Sequence, residues 1–164
     1  MIGTSLQDAI NEQVKNEFYS AYLYLSMASY FEHNNLPGLA KWMRVQHGEE
    51  LTHAHKLFEF VISRGGRAVV PEIAKPPTDF ESPLDVFGKA YEHEKKITGL
   101  IDKLYEQSVK ENDYSAQVLL QWFITEQVEE EKNASSIVDM LTRIGPSYGG
   151  LMQLDHRLGK RGEK

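Results

Sequence analysis

The sequence predicts an all-α protein: a four-helix bundle with a long crossover between its second and third helices, followed by a short fifth helix. Three observations carry this. Four long stretches space their apolar residues by steps of three and four, the period of a helix buried along one face. Clusters of Asn, Asp, Gly and Pro punctuate the chain between those stretches. One connection, residues 67–82, is too long and too proline-rich to be an ordinary turn between helices, so it must span a distance.

The first helix is expected from about Leu6 to His33, with Ser5 as N-cap and Asp8 completing a capping box. Its stripe is Ile10, Val14, Glu17, Ala21, Tyr24, Ala28 and Phe31. Asn34-Asn35-Leu36-Pro37-Gly38 breaks it and is short enough to make the second helix an antiparallel neighbour. That helix runs from about Gly38 to Arg64 along Leu39, Met43, Gln46, Glu50, His53, Leu57 and Phe60, and Gly65-Gly66 stops it. In the connection, Val69-Val70 is a brief extended piece, and Pro71, Pro76 and Pro77 prevent coiling. A helix of about 28 residues is roughly 42 Å long. About 16 extended residues at roughly 3.3 Å each reach that far. The segment therefore runs the length of the bundle and leaves the second and third helices parallel.

Ser82-Pro83-Leu84-Asp85 opens the third helix with Ser as N-cap, Pro at the first position and an acid at the third. Its stripe is Phe87, Ala90, Glu94, Ile97, Ile101, Leu104 and Ser108. Glu111-Asn112-Asp113 turns the chain, and Asp113 caps the fourth helix. That stripe is Ala116, Leu120, Phe123, Gln127, Glu130, Ala134, Ile137, Leu141 and Ile144, ended by Gly145-Pro146. Ser147 to Gly159 forms one short helix, apolar at Leu151, Leu154 and Leu158. It is too short to stand alone. The bundle is complete without it, so packing against other copies is the preferred expectation. The whole reads as one domain over 1–164, with the bundle at about 5–144 and the C-terminal helix at about 147–159.

Composition narrows the function. The 164 residues can bury a sizeable core. The absence of cysteine excludes disulfides, zinc–thiolate sites, iron–sulfur clusters and a cysteine nucleophile, and it suits a cytoplasmic location. Met1-Ile2-Gly3-Thr4-Ser5 lacks the marks of a secretory signal, and no apolar run reaches the roughly 18–20 residues of a membrane span. Net charge is −6 and the only basic cluster is Lys160-Arg161, which argues against nucleic-acid binding and suits cations.

Each long stripe carries a polar interruption: Glu17, then Glu50 with His53, then Glu94, then Gln127 with Glu130. Glu17 and His53 lie about 18 residues either side of the turn at Asn35. Glu94 and the Gln127–Glu130 pair lie at similar distances from Asn112-Asp113. At roughly 1.5 Å per residue, all fall within about one to two turns of one level. Four carboxylates in a dry interior cannot all stay ionised without compensation, and two divalent cations would balance them. Oxygen ligands with one imidazole, and the Gln127 amide nearby, suit iron or manganese better than copper. A metal-free, hydrogen-bonded core pair is the alternative for Glu50 and His53; the shared level across four helices favours metal.

Glu17-Phe18-Tyr19-Ser20-Ala21-Tyr22-Leu23-Tyr24-Leu25, Glu49-Glu50-Leu51-Thr52-His53, Tyr91-Glu92-His93-Glu94, Gln121-Trp122-Phe123 and Glu126-Gln127-Val128-Glu129-Glu130-Glu131 follow one another in this order. In this the chain resembles bacterial and archaeal non-haem ferritins over nearly its full length. A Glu from each of two helices plus Glu-x-x-His from each of the other two is the general signature of ferritin-like di-metal bundles. Here the second Glu-x-x-His is replaced by Gln127-Val128-Glu129-Glu130, so one metal loses its histidine and is held more weakly. The resemblance implies a ferritin-like fold and an iron-storage protein with ferroxidase activity, an iron(II):oxygen oxidoreductase using dioxygen or peroxide. It implies that Glu17, bridging Glu50 and His53 hold one iron, and that Glu50, Glu94 and Glu130 hold the second. Gln127 would hydrogen-bond nearby, and Tyr24 would lie beside the pair as an electron donor. A third iron site maps onto Glu49, Glu126 and Glu129, with Glu130 shared.

The resemblance also implies a homo-oligomeric shell of 24 subunits, and both a closed octahedral cage and an open tetrahedral one are compatible with it. Leu51 stands where haem-binding relatives carry a ligating methionine, so no haem is expected. Among the other histidines, His47 is the first choice for an extra metal contact, and Trp122 is expected to pack. Competing readings are a di-iron oxidase, peroxidase or hydroxylase acting on a small substrate, and a metal-free helical adaptor.

Overall fold

The computed structural model describes residues 1–162; residues 163 and 164 of the expected domain span lie outside the described residues. Five helices follow in order: α1 (Thr4–His33), α2 (Pro37–Ser63), α3 (Pro83–Lys110), α4 (Tyr114–Ile144) and α5 (Tyr148–Leu158). Among the described residues there is no strand.

The helix ends follow local chemistry. Ser82, Asp113 and Ser147 each accept the backbone N–H three residues on, at 3.1, 3.0 and 3.1 Å. The start of α1 differs from the sequence expectation. Gly3 is the N-cap and makes no side-chain cap bond; its carbonyl accepts the Gln7 N–H at 2.9 Å. Ser5 lies inside the first turn, where its hydroxyl accepts from Gln107 at 2.9 Å, a long-range partner no local pattern reveals.

The two tight turns are alike. Asn35 and Asn112 take the left-handed conformation, at φ 56° and 55°. The next residue in each, Leu36 or Asp113, closes back onto Phe31 or Ser108 at 2.9 Å. Arg64 at the end of α2 then grips Asp113 with both prongs of its guanidinium, at 2.7 and 3.0 Å. That contact holds the Asp113 carboxyl below its usual range.

The long connection climbs α1. The Gln7 side chain accepts the Arg67 N–H at 2.9 Å. Asn11 takes both the Arg67 carbonyl, at 3.0 Å, and the Val69 N–H, at 3.1 Å. Ser26 then donates to the Pro77 carbonyl at 2.5 Å, and Phe80 packs edge-on to Tyr30. The segment thus spans the bundle, and α2 and α3 run in the same direction. Val69 pairs with a side chain, so the Val69-Val70 piece is extended without joining a sheet.

α5 docks on its own chain. Asp155 accepts the Leu39 N–H at 2.9 Å, pairing one of the N–H groups that the buried start of α2 leaves without a partner inside the helix. Gly38 and Gly159 let the two backbones meet: a Cβ on Gly38 would lie 1.8 Å from the Asp155 carbonyl oxygen. Leu154 and Leu158 are buried in the bundle's own core, with Leu151 against it. The stripe expected to favour other copies therefore closes on this chain.

The core is in two parts. One part joins Leu23 to Phe31 of α1, Leu39 to Met43 of α2, Val86 to Ala90 of α3, Ile137 and Leu141 of α4, and α5. The other joins Leu6 to Val14, Leu57 and Val61, Ile97 to Leu104, and Ala116 to Phe123. Each fully buried aliphatic or aromatic side chain contributes roughly 1.5–3 kcal/mol. Between the two parts lies a belt of buried polar residues: Glu17, Ser20, Gln46, Glu50, His53, Glu94, Gln127 and Glu130.

Candidate metal centre

The belt exists because the stripe of each helix carries its polar residues at mid-length, and antiparallel or parallel packing brings those midpoints to one level. Glu17, Glu50, Glu94 and Glu130 are 1, 2, 1 and 6 % exposed, so none of them is solvated. Two overlapping groups offer ligand atoms within 4.8 Å of one another: Glu17, Glu50 and His53, and Glu50, Glu94 and Glu130. Glu50 belongs to both. A further group joins His53, Glu126 and Glu130. His53 Nδ1 lies 3.4 Å from Glu50 and its ring packs edge-on against Trp122 and Phe123, which fixes the imidazole plane.

Tyr24 donates its hydroxyl to Glu94. Burial, with Glu94 and Glu50 beside it, pushes the phenol well above its ordinary pKa, so it keeps its proton. Gln127 donates to the Glu94 carboxylate and carbonyl, each at 3.2 Å, and to Thr98 at 3.3 Å.

Electrostatics show the strain of four acids together. Burial, reinforced by Glu50, pushes Glu17 up to about 8. Burial raises Glu94 to about 7 against the lowering effect of its bonds to Tyr24 and Gln127. Burial, with Glu94 alongside, raises Glu130 to about 7. Glu50 is raised well above the carboxylate range by burial and by Glu94 and Glu130. Glu17 Oε2 is buried without a hydrogen-bond partner. A buried carboxylate oxygen without a partner costs free energy that a bound cation would remove. The donor set, oxygen-rich with one imidazole, therefore fits a hard divalent metal pair.

Other sequence candidates are placed differently. Glu49 is exposed and paired with Arg161 at 2.6 Å. Glu129 is exposed and, among the described residues, joins no group close enough to share a metal. Among the described residues Glu49, Glu126 and Glu129 form no group close enough to share a metal; Glu126 instead sits with His53 and Glu130. His47 gives Nδ1 to the Ala21 carbonyl at 2.7 Å. Trp122 packs on His53 and Phe123, with the Lys56 ammonium over its ring.

Two residues around the acids were given no role by sequence reasoning. Gln13 donates to Glu17 at 2.8 Å. Gln46 donates to Glu130 at 2.7 Å and to Glu50 at 3.2 Å. Gln46 was legible as a polar interruption of the α2 stripe one turn before Glu50; Gln13 lies off the stripe of α1, and only its (i, i+4) spacing to Glu17 hinted at its role.

Comparison with known proteins bears out the fold and the family resemblance. A family model for the ferritin-like domain matches residues 7–144. The chain is 43% identical over 161 residues to a bacterial non-heme ferritin of Bacteroides fragilis, covering 98% of this chain and 100% of the relative. It is 38% identical over 164 residues to a probable bacterial non-heme ferritin-like protein of Haemophilus influenzae, covering 100% of this chain and 99% of the relative. An open pore ferritin from the hyperthermophilic archaeon Archaeoglobus fulgidus superposes with a TM-score of 0.97 at 46% identity, covering 98% of this chain and 99% of that one. With the matched domain spanning most of the sequence and these relatives aligned end to end, the chain belongs to the ferritin family.

Proposed function

We propose that this protein stores iron and oxidises it on entry, binding Fe²⁺ as a pair in the acid belt and confining the ferric product inside a homo-oligomeric shell. Membership of the ferritin family supports iron storage. The observation that carries the oxidation step is the sharing of Glu50 between two metal-competent groups, beside a buried Glu17 oxygen that has no partner. In this reading Glu17, Glu50 and His53 hold one Fe²⁺, and Glu50, Glu94 and Glu130 hold the other. A third, weaker cation position adjoins Glu130 and Glu126.

The chain's residues perform the reaction by placement. Rigid helices hold the carboxylates, so two Fe²⁺ ions come close enough to serve one O₂. Each Fe²⁺ gives one electron; O₂ takes both, with two protons, as hydrogen peroxide. Carboxylate ligands favour Fe³⁺ over Fe²⁺ and so drive the electron transfer forward. As metal binds, Glu17, Glu94 and Glu130 release the protons that burial had kept on them. Tyr24, hydrogen-bonded to Glu94, sits beside the pair and orients that carboxylate; it is the residue that would serve as the electron donor the family resemblance implies. Gln127 and Gln46 hold the acids in orientation. Ligation with a single histidine lets the ferric product leave. The cytoplasm, a shell of 24 copies and the use of O₂ or peroxide complete the proposal.

The test is to add Fe²⁺ in air and follow ferric absorbance for the wild type and a His53→Ala, Glu130→Ala double variant. The variant is expected to oxidise iron more than about tenfold slower. Equal rates would remove the oxidase reading.

A further inference from the structure

The C-terminal tail reaches the acid belt through a single amide. Beyond α5, Arg161 turns back over α2. Its guanidinium stacks on the Trp42 ring, 4.2 Å from the centroid, and donates to the Trp42 carbonyl at 3.3 Å. It donates to Gln46 Oε1 at 2.8 Å and is paired with Glu49 at 2.6 Å. Glu49 balances the guanidinium charge, so what Arg161 passes inward is the direction of a bond rather than net charge.

Gln46 is fully buried. Its NH₂ donates to Glu130 at 2.7 Å and to Glu50 at 3.2 Å, so one side chain of α2 ties together carboxylates of α4 and α2. An amide offers NH₂ on one side and an acceptor oxygen on the other. Arginine only donates and keeps its charge. With Arg161 on Oε1, the NH₂ has to face the acids. Ordering a glutamine costs rotamer freedom, and a charge-assisted bond at its outer end offsets that cost.

We propose that Arg161 is a positioning residue of the acid belt, which through Gln46 holds the Glu130 and Glu50 carboxylates in the orientation that takes up divalent metal. This rests on the reading of the belt as an iron site. A cation on the two acids would draw their negative charge away from the Gln46 NH₂ and weaken that contact. The bond from Arg161 lies on the far side of the amide and is not exchanged, so Gln46 stays turned inward whether the acids are loaded or empty. The tail, 115 positions from Gln46, is thereby part of the framework of the site.

Metal binding by the full-length, metal-free protein tests this. The probes are Zn²⁺, which has no redox chemistry, and Co²⁺, whose d–d absorption reports ligand geometry. By isothermal titration, Arg161→Ala is expected to weaken the tight zinc steps about tenfold, the scale of losing an outer contact to a metal ligand. Gln46→Leu should weaken them at least as much, and adding Arg161→Ala to it should cost nothing further. The Co²⁺ spectrum should change in the same way in both single variants. Zinc affinity that is unchanged or tighter in Arg161→Ala overturns the proposal. So does a loss that persists in the Gln46→Leu background, because Arg161 would then act without the amide. The underlying reading is tested separately. If the His53→Ala, Glu130→Ala protein binds zinc as the wild type does, the metal-site reading fails and takes the proposal with it. If that protein loses zinc while Arg161→Ala keeps the wild-type affinity, only the proposal fails.

Discussion

Glu17 has one oxygen on Gln13 and the other facing the neighbouring acids with no partner. Its pKa of about 8, against 4.5 for a free carboxyl, means that the folded chain holds a proton there which the unfolded chain releases. Between about pH 4.5 and 8 the folded state binds more protons than the unfolded one, so stability falls as pH rises through that window. Glu94 and Glu130, at about 7, act in the same sense over a narrower range. Chelator-treated protein is therefore expected to melt at progressively lower temperature from pH 5 to pH 8. Glu17→Gln should match the wild type at the acid end and exceed it by about 1–4 kcal/mol at pH 9, because the buried charge is gone. Thermal melts at three pH values check this, and a variant with the same slope as the wild type contradicts it. Saturating metal should flatten the wild-type slope, since bound cations take the place of the protons.

At the scale of the helix, α5 depends on a backbone crossing that tolerates no side chain. Gly38→Ala forces a methyl group into the Asp155 carbonyl, and the expected cost is about 1–3 kcal/mol. Amide exchange should quicken across residues 148–158 and leave α3 unaffected. Gly149→Ala, which meets nothing within 4 Å, is the control and should be neutral or stabilising by up to about 1 kcal/mol. If both variants exchange alike, the crossing is not what docks the helix. This crossing also explains one limit of sequence reading. The Leu151, Leu154, Leu158 stripe announced a helix with one apolar face, but periodicity cannot say which surface that face meets. The answer lies in two glycines 121 positions apart, Gly38 and Gly159. The N-terminal cap is similar: Ser5 has the right residue type for a cap, yet its hydroxyl is claimed by Gln107 from α3. By contrast Ser82, Asp113 and the two Asn turns act through neighbours within six residues, and these were legible. The four acids were legible for another reason. Each breaks an otherwise apolar stripe, so its cost is visible from its own helix alone. Arg161 was not, since it joins the belt through a fold-back that no local pattern records.

For the whole molecule, the proposed shell is the part of the reading most open to direct measurement. Assembly of 24 copies of an 18.8 kDa chain gives a particle of about 450 kDa. Light scattering coupled to size exclusion should find that mass in metal-free protein at neutral pH. A species of one or two chains at all concentrations would remove the storage cavity and leave only the chemistry of the belt. The bundle's internal layout has its own consequence. The parts of the core above and below the belt are built from residues such as Phe31, Phe87, Leu57 and Ile101, all fully enclosed. They stopper the tube at both ends. An ion losing its hydration shell could not travel lengthwise through either plug. A cation bound for the acids would have to cross a side wall, and one such flank, on α2 and α4, carries the exposed Glu49 and Glu129 with the half-buried Glu126.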